Sequence, residues 1–257
     1  MLLRADGDAV VAIGQASHAW LSGQLARAWG GAAAGGVEHR EEACLAALQH
    51  DVGMAQWDLA PELNAETGRP QSFMEMELAT HLALWSAAPQ RLFTQSRLAA
   101  LLVSLHGTAL YERRDLARLP AAGADAVRAY LAGQRALQER LAAETGVAHG
   151  ALARLQRQLF AWDWLSLALC LDWAPAALGG VPGADGEVEL RLEPGTGGGA
   201  AVLAPWPFAV DAVEVRCEGR RLEGRFATAP ELHAALERAP RVELRFALAP
   251  ARPARPS

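Results

Sequence analysis

Two patterns of hydrophobic and polar positions divide the chain near residue 179. Before that point, apolar side chains recur at spacings of three and four residues, which is typical of helices with one buried face. Two short apolar pieces at 1–3 and 10–11, separated by Asp6-Gly7-Asp8, predict a small N-terminal hairpin. The helical pattern predicts helices over 16–29, 41–57, 75–86, 96–111, 125–144 and 150–173.

After residue 183 the pattern changes to an alternation of apolar and charged residues, which is typical of strands. The alternation runs through 188–192, 213–217 and 242–248, and a short helix is predicted over 230–239. The glycine-rich segment 179–183 between the two patterns predicts a linker. We therefore expect a helical domain over 1–178, a small α+β domain over 184–250 and a disordered tail over 251–257.

Several polar side chains that can bind metals fall on the buried stripes of the predicted helices. A single histidine at such a position is most often a core residue whose ring is satisfied by a local hydrogen bond. Here, five separate helices each contribute such a side chain. Shared divalent cations explain this better than five independent core residues, because a cation balances both the charges and the lone pairs of these side chains. The candidate ligands are His18, the adjacent pair His50 and Asp51, His81, His106 and Asp163.

The loop at 58–73 leaves the helix that carries the adjacent candidate pair, and it is rich in turn residues. A long loop beside a metal pair is a common place for substrate contacts, which makes Trp57, Asp58 and Arg69 candidate substrate-binding residues. Arg69 is the candidate for holding a substrate anion, since a guanidinium offers paired donors to phosphate or carboxylate. The alternative, an arginine exposed in a surface turn, stays open.

Composition and charge restrict the classes of function. The chain has 257 residues, 51% of them hydrophobic, and a net charge of −5, which argues against a nucleic-acid backbone as a partner. All 24 basic residues are arginines, so Schiff-base catalysis and a Walker-type phosphate loop, which both need lysine, are excluded. We expect neither a membrane-spanning run nor a signal peptide, and hence a cytoplasmic protein without a membrane partner.

The order of the candidate ligands, His, His-Asp, His, His and Asp, resembles that of the HD superfamily of all-helical metal-dependent phosphohydrolases and their relatives. Several motifs are more closely similar to an uncharacterised bacterial family, domain of unknown function 3891, over the whole chain including Pro205-Trp206-Pro207-Phe208. The resemblance implies a mainly α fold, an HD-domain-like helical bundle with a short N-terminal hairpin and a small C-terminal α+β appendage. The motifs are Gln15-Ala16-Ser17-His18-Ala19, His50-Asp51-Val52-Gly53, Trp57-Asp58, Gly68-Arg69-Pro70, Ser104-Leu105-His106 and Asp163-Trp164-Leu165-Ser166-Leu167.

The superfamily pattern also implies a ligand set. Asp51 would bridge a first metal to a second one held by His81 and His106, and without His81 the site would be mononuclear. Imidazole and carboxylate ligands without thiolate suit one or two divalent ions of Fe, Mn, Ni, Co or Zn. The implied ligands of the first metal are His18, His50, Asp51 and Asp163.

Three functions are compatible with such a site. The first is hydrolysis of a small phosphate ester, with a metal-bound hydroxide as nucleophile and with Asp51 and Arg69 as catalytic residues. The second is an HD-type diiron oxygenase acting on a small polar substrate, which the lack of a lysine anion anchor disfavours slightly. The third is a metal-binding module without turnover, which a closed site would favour. The expected partner is a small anionic molecule, and the oligomeric state stays open.

Overall fold

The computed structural model describes residues 1–251, so residues 252–257 of the predicted tail at 251–257 lie outside the described residues. Helices account for 49% of the fold and strands for 22%, and seven strands form a curled sheet shaped like half of a barrel. The prediction of a mainly α, HD-domain-like bundle with a small appendage is therefore wrong. The seven-stranded sheet is a second layer beside the helices.

The helices agree with the predicted ones in number and position, except that the predicted helix over 41–57 is interrupted. Gly53 lies in the interruption, a 3-10 turn at Val52–Met54. A Cβ atom at Gly53 would lie 2.5 Å from the backbone oxygen of Leu84, so only glycine permits this close approach of two segments. The helices are α1 (Gln15–Ala28), α2 (Arg40–Gln49), α3 (Ala55–Leu59), α4 (Leu78–Ala87), α5 (Arg97–Glu112), α6 (Ala121–Thr145), α7 (His149–Leu171) and α8 (Ala229–Arg238). Among these described helices, none is both long and apolar enough to cross a membrane.

The strands are β1 (Leu2–Asp6), β2 (Ala9–Ile13), β3 (Leu63–Asn64), β4 (Arg69–Pro70), β5 (Ala176–Pro182), β6 (Glu187–Pro194), β7 (Ala200–Ala204), β8 (Val213–Leu222) and β9 (Arg241–Pro250). In the large sheet their order is β1-β2-β8-β9-β7-β6-β5, and neighbours are antiparallel except for β7 and β9. Because β2 pairs with β8 in the register Val10↔Leu222, the predicted hairpin is the edge of this sheet. β3 and β4 pair with each other inside the loop that follows α3.

One face of the sheet packs on the helices. In β8, Val213, Val215 and Cys217 are buried while the residues between them are exposed, which confirms the predicted alternation. Leu25 of α1 and Trp162 of α7 belong to the same continuous hydrophobic cluster as these strand residues. The helical and strand segments therefore share one core.

The glycine-rich segment between the two sequence patterns is part of a strand and does not form a linker. Residues 179–182 lie in β5, whose pairing with β6 shifts register between Leu178 and Val181. The shift marks a bulge at Gly179 and Gly180. The division of the chain into domains at 1–178 and 184–250 stays a prediction.

Candidate metal centre

A buried polar cluster lies where four helices meet. α1 supplies His18 from its first turn, and the C-terminal end of α2 supplies His50 and Asp51. α5 supplies His106 and α7 supplies Asp163. Each of these five residues is at most 7% exposed to solvent. Polar groups buried so deeply are costly unless they pair with one another or with a ligand.

Imidazole nitrogens and carboxylate oxygens approach one another closely in this cluster. His18 Nε2 lies 2.6 Å from Asp51 Oδ2, and His50 Nε2 lies 3.6 Å from the same oxygen. His50 Nε2 also lies 3.2 Å from Asp163 Oδ1. One ligand atom from each of His18, His50 and Asp163 lies within 4.8 Å of the other two. This buried group could hold a metal ion, as the sequence predicts.

The protonated nitrogen of His50 is fixed by the backbone. His50 Nδ1 lies 2.8 Å from the carbonyl oxygen of Ala47, which can only accept, so Nδ1 carries the proton. The lone pair of a neutral His50 therefore lies on Nε2, which faces the carboxylates. Within the described residues, His50 Nε2 is buried without a hydrogen-bond partner, although Asp163 Oδ1 lies 3.2 Å away.

A serine fixes His18 in the same way. Ser166 Oγ donates a hydrogen bond to the backbone oxygen of Asp163 at 2.7 Å, which uses its single proton. Ser166 Oγ must therefore accept the bond from His18 Nδ1 at 2.9 Å. Asp51 Oδ2 can only accept, so without a cation His18 Nε2 donates the 2.6 Å hydrogen bond to it, and a bound cation would take the place of that proton. Such hydrogen bonds to the outer ring nitrogen are the usual support of metal-binding histidines.

The charges of the cluster depend on one another. Burial alone lowers the pKa of His50, but the carboxylates of Asp51 and Asp163 outweigh it and raise this pKa to about 9. Burial alone raises the pKa of both carboxyl groups, but His50 and the other facing histidines outweigh it. They lower the pKa of Asp51 and hold that of Asp163 well below its usual range. Both carboxylates are therefore ionised at neutral pH and attract a cation.

This donor set fits a divalent transition metal. Two imidazole nitrogens and two ionised carboxylates converge on one buried space, and a cation there would bind His50 Nε2 in place of a proton. Nitrogen and oxygen donors of this kind suit several such metals, in line with the expectation from the sequence. Of the predicted ligands, the structure brings His18, His50, Asp51 and Asp163 together.

His106 lies at the border of the cluster. Its Nε2 atom is 3.5 Å from Asp163 Oδ2, and its ring centroid is 5.1 Å from that of His50. Its Nδ1 atom is buried and has no hydrogen-bond partner in the part of the chain that the structure describes. His106 also lines a cavity of about 420 Å³ between α5, α7 and the β5–β6 pair. It therefore borders both the buried cluster and this cavity.

The structure does not bring His81 into the cluster. Trp85 donates a hydrogen bond from Nε1 to His81 Nε2 at 3.1 Å, so the lone pair of that nitrogen is in use. His81 Nδ1 then carries the proton and donates it to the Tyr111 hydroxyl. Burial lowers the pKa of His81, which favours this neutral form. With both nitrogens engaged, His81 offers no donor atom to a second metal in this arrangement.

The three predicted substrate-binding residues also lie apart from the cluster. Arg69 donates from Nη2 to the backbone oxygen of Asp8 at 2.9 Å, so its guanidinium contacts the N-terminal hairpin. Asp58 forms an ion pair with the ammonium group of Met1 at 3.1 Å. Trp57 packs on a smaller hydrophobic cluster beneath α8. The polar contacts of Arg69 and Asp58 are thus structural ones.

Two features of the site were missed by reasoning from the sequence. Ser166 was assigned no role, although its spacing of three residues from Asp163 on one helix places both on the same face. Arg113, which lines the cavity beside His106, was not considered because it follows the apolar stripe of α5 without belonging to it. The spacing was a usable signal for Ser166, whereas Arg113 had none in the sequence.

The comparison with known proteins identifies a family. No curated protein and no solved structure matches this chain. The model of the family described as "Protein of unknown function (DUF3891)" matches residues 1–224, which is most of the chain. The motif-based resemblance to this family is thereby confirmed. The chain belongs to the DUF3891 family of proteins of unknown function.

Proposed function

We propose that this chain is a metal-dependent hydrolase of a small phosphate ester. One divalent transition metal is held by the nitrogens of His18 and His50 and by the carboxylates of Asp51 and Asp163. The observation that carries the proposal is the orientation of the two rings. Each donates its Nδ1 proton away from the cluster, to Ser166 or to the Ala47 carbonyl, and directs Nε2 toward the carboxylates.

The side chains have separate roles in this proposal. When bound, a divalent ion would supply Lewis-acid chemistry, namely polarisation of a phosphoryl oxygen and a lowered pKa of bound water. Asp51 and Asp163 neutralise the charge of the ion, and Ser166 keeps the His18 ring in place. His106 borders both the cluster and the cavity, so it is positioned to exchange a proton with the substrate or the leaving group.

The order of the ligands along the chain supports the same chemistry. A histidine, an adjacent His-Asp pair and a later aspartate resemble the metal site of the HD superfamily, whose members include phosphohydrolases. We infer that the site of this chain is of the HD type although its fold includes a large sheet. The donor set and its tautomers support this inference independently of the resemblance.

The alternative functions need features that the geometry does not favour. A diiron oxygenase requires ligands for a second metal, but the ring nitrogens of His81 are engaged by Trp85 and Tyr111. A metal-binding module without turnover would have a closed site, whereas His106 lines a cavity of about 420 Å³. A mononuclear hydrolase is compatible with both observations.

The test combines metal analysis with a screen for phosphate release from nucleotides and sugar phosphates. We expect about one transition metal per chain and release of phosphate from at least one compound, and we expect both to be lost in His50→Ala. His81→Ala is the matched control because it removes a histidine outside the cluster. Bound metal without turnover of any phosphorylated compound would contradict the hydrolase and favour the non-catalytic module.

A further inference from the structure

We infer that the cavity beside His106 binds the anionic group of a small substrate through the guanidinium of Arg113. The inference rests on the proposed function in one respect, namely that the bound molecule is the phosphate ester on which the centre acts. Arg113 takes the anion-binding role that the sequence suggested for Arg69, whose guanidinium contacts the backbone of Asp8. The binding itself can be measured without any turnover.

The size and position of the cavity are those of a ligand site. Its volume of about 420 Å³ falls within the range of roughly 300–1,000 Å³ that is usual for small-molecule pockets. Its walls come from α5, α7 and the β5–β6 pair, so helices and sheet both contribute. Its lining includes His106, Ala109, Arg113, Phe160, Gly179 and Gly180.

The inner wall of the cavity carries a polar group without a partner. His106 is 1% exposed, and in the described part of the chain its Nδ1 atom forms no hydrogen bond. Buried polar atoms of this kind are rare and usually mark the position of a ligand or of bound water. His106 Nε2 lies 3.5 Å from Asp163 Oδ2, so a molecule that contacts this ring also lies beside the metal cluster.

Arg113 is the cation of the cavity that is free to receive an anion. The other lining arginine, Arg157, forms an ion pair with Glu187, and the lining Glu112 pairs with Arg135 of α6 at 3.2 Å. Between residues 1 and 251, Arg113 forms no ion pair with a carboxylate. The carboxylates of the cavity are thus neutralised by other arginines, and the charge of Arg113 remains.

The ring of Phe160 contacts both Arg113 and His106. The guanidinium carbon of Arg113 lies 5.1 Å from the ring centroid of Phe160, and the Phe160 centroid lies 6.2 Å from that of His106. A guanidinium packed on an aromatic face keeps its planar edge available for paired hydrogen bonds to phosphate. Phe160 therefore links the anion-binding residue to the histidine beside the cluster.

The strand wall of the cavity is built from two glycines that core packing does not require. Gly179 and Gly180 form the bulge of β5, and a Cβ atom at Gly179 would meet no atom within 4 Å. Gly180 has a φ of 71°, a conformation that favours glycine. A bulge interrupts the hydrogen-bond ladder, so its peptide groups remain available next to the open space. Such bulges are frequent beside active sites.

The test measures binding of inorganic phosphate by isothermal titration calorimetry. Arg113→Gln is expected to raise the dissociation constant about 10- to 100-fold, the usual effect of losing hydrogen bonds to a charged group. Arg114→Gln is the matched control, because Arg114 is the exposed neighbour that lies outside the cavity lining. Ala109→Phe places a bulky ring in the cavity at a position that is not a proposed metal ligand, and we expect it to weaken phosphate binding at this site.

The outcomes separate this inference from the proposed function. Equal effects of Arg113→Gln and Arg114→Gln, or unchanged binding in Ala109→Phe, would overturn the inference even if the chain hydrolyses phosphate esters. Phosphate binding that depends on Arg113 but is accompanied by no turnover would support the anion site and contradict the hydrolase. In an active enzyme, we expect Arg113→Gln to raise KM more than it lowers kcat and to leave metal content unchanged.

Discussion

His50 and His81 both lie on the inner side of the helical layer, yet their rings have different surroundings. His50 donates one proton to a backbone oxygen and presents its other nitrogen, without a hydrogen-bond partner, to two carboxylates. His81 has a tyrosine hydroxyl at one nitrogen and a tryptophan donor at the other. The first ring is open to a cation, whereas the second completes a closed hydrogen-bond network.

The difference shows that burial alone does not identify a metal ligand. Burial lowers the pKa of both rings, but only His50 has carboxylates close enough to reverse the shift and raise its pKa to about 9. What separates the two histidines is the set of partners that other helices supply. A histidine becomes a candidate ligand when one nitrogen is held by a neutral acceptor and the other faces carboxylates.

The largest expected effect is a loss of bound metal in His50→Ala that does not occur in His81→Ala. We expect His50→Ala to reduce bound metal from about one ion per chain to less than about a tenth, because a central donor is lost. His81→Ala should retain the metal. Mass spectrometry of the purified variants would measure the metal, and far-ultraviolet circular dichroism would show that both fold. Equal metal loss in the two variants would contradict the distinction between open and closed rings.

The sequence contained enough information for the cluster because helical spacing is local. His18, Asp51 and Asp163 fall on apolar stripes at three- and four-residue spacing, and each stripe is expected to face the core. The same signal included His81 as a ligand, because no periodicity shows which side chain another helix will offer. Trp85 is four residues away on the same helix, but Tyr111 comes from α5.

The sheet could not be predicted in the same way. The N-terminal hairpin pairs with β8, which begins about 200 residues later in the chain, and such a pairing leaves no local pattern. Gly179 and Gly180 suggested a linker because glycines are common in linkers, but they are equally suited to a bulge. The contact of Arg69 could not be predicted for a related reason, since its partner is a backbone oxygen far away in the sequence.

The second prediction concerns Ser166, whose hydrogen bond orients the ring of His18. Ser166→Ala removes the acceptor of the His18 Nδ1 proton, so the ring is no longer held with Nε2 toward Asp51. We expect metal affinity to fall about 10- to 100-fold, the usual cost of losing such a partner. A competition titration with a chelator would measure it. Ser22→Ala is the control, because Ser22 contacts Ser166 without touching either ring; an equal loss there would contradict the role of Ser166.

The third prediction uses the opposite pKa shifts of the two rings. In chelator-treated protein, the raised pKa of His50 gives stability that is present below about pH 6.5, the unfolded value, and is lost as pH rises through about 9. The lowered pKa of His81 has the opposite sign, so its contribution is present above about pH 6.5 and decreases on acidification. Thermal melts over this range should show a loss of stability at alkaline pH that is absent in His50→Ala.

Metal binding should follow the same titration. A metal competes with the proton for His50 Nε2, so we expect affinity to increase with pH up to about 9 and binding to release protons. Calorimetry in two buffers of different ionisation enthalpy would count these protons. A metal affinity that does not change between neutral and alkaline pH would contradict His50 as a ligand.

The smallest expected effect comes from removing one hydrogen bond in the network of His81, Trp85 and Tyr111. Tyr111→Phe leaves the His81 Nδ1 proton without its acceptor, while Trp85 still occupies the other nitrogen. We expect unfolding to become easier by about 1 kcal/mol, the net value of a typical hydrogen bond. For a chain of this length this lowers the melting temperature by about 2–4 °C. Metal content should not change, because no atom of the cluster is altered.

The matched control is Tyr130→Phe. The Tyr130 ring lies 5.3 Å from that of Tyr111, but its buried hydroxyl has no hydrogen-bond partner within residues 1–251. Removing an unpaired buried hydroxyl should leave the melting temperature unchanged or raise it slightly, since no bond is lost and a polar group is removed from the core. A larger destabilisation in Tyr130→Phe than in Tyr111→Phe would contradict the network. Loss of metal in Tyr111→Phe would instead place His81 at the metal centre and remove the distinction between the two histidines.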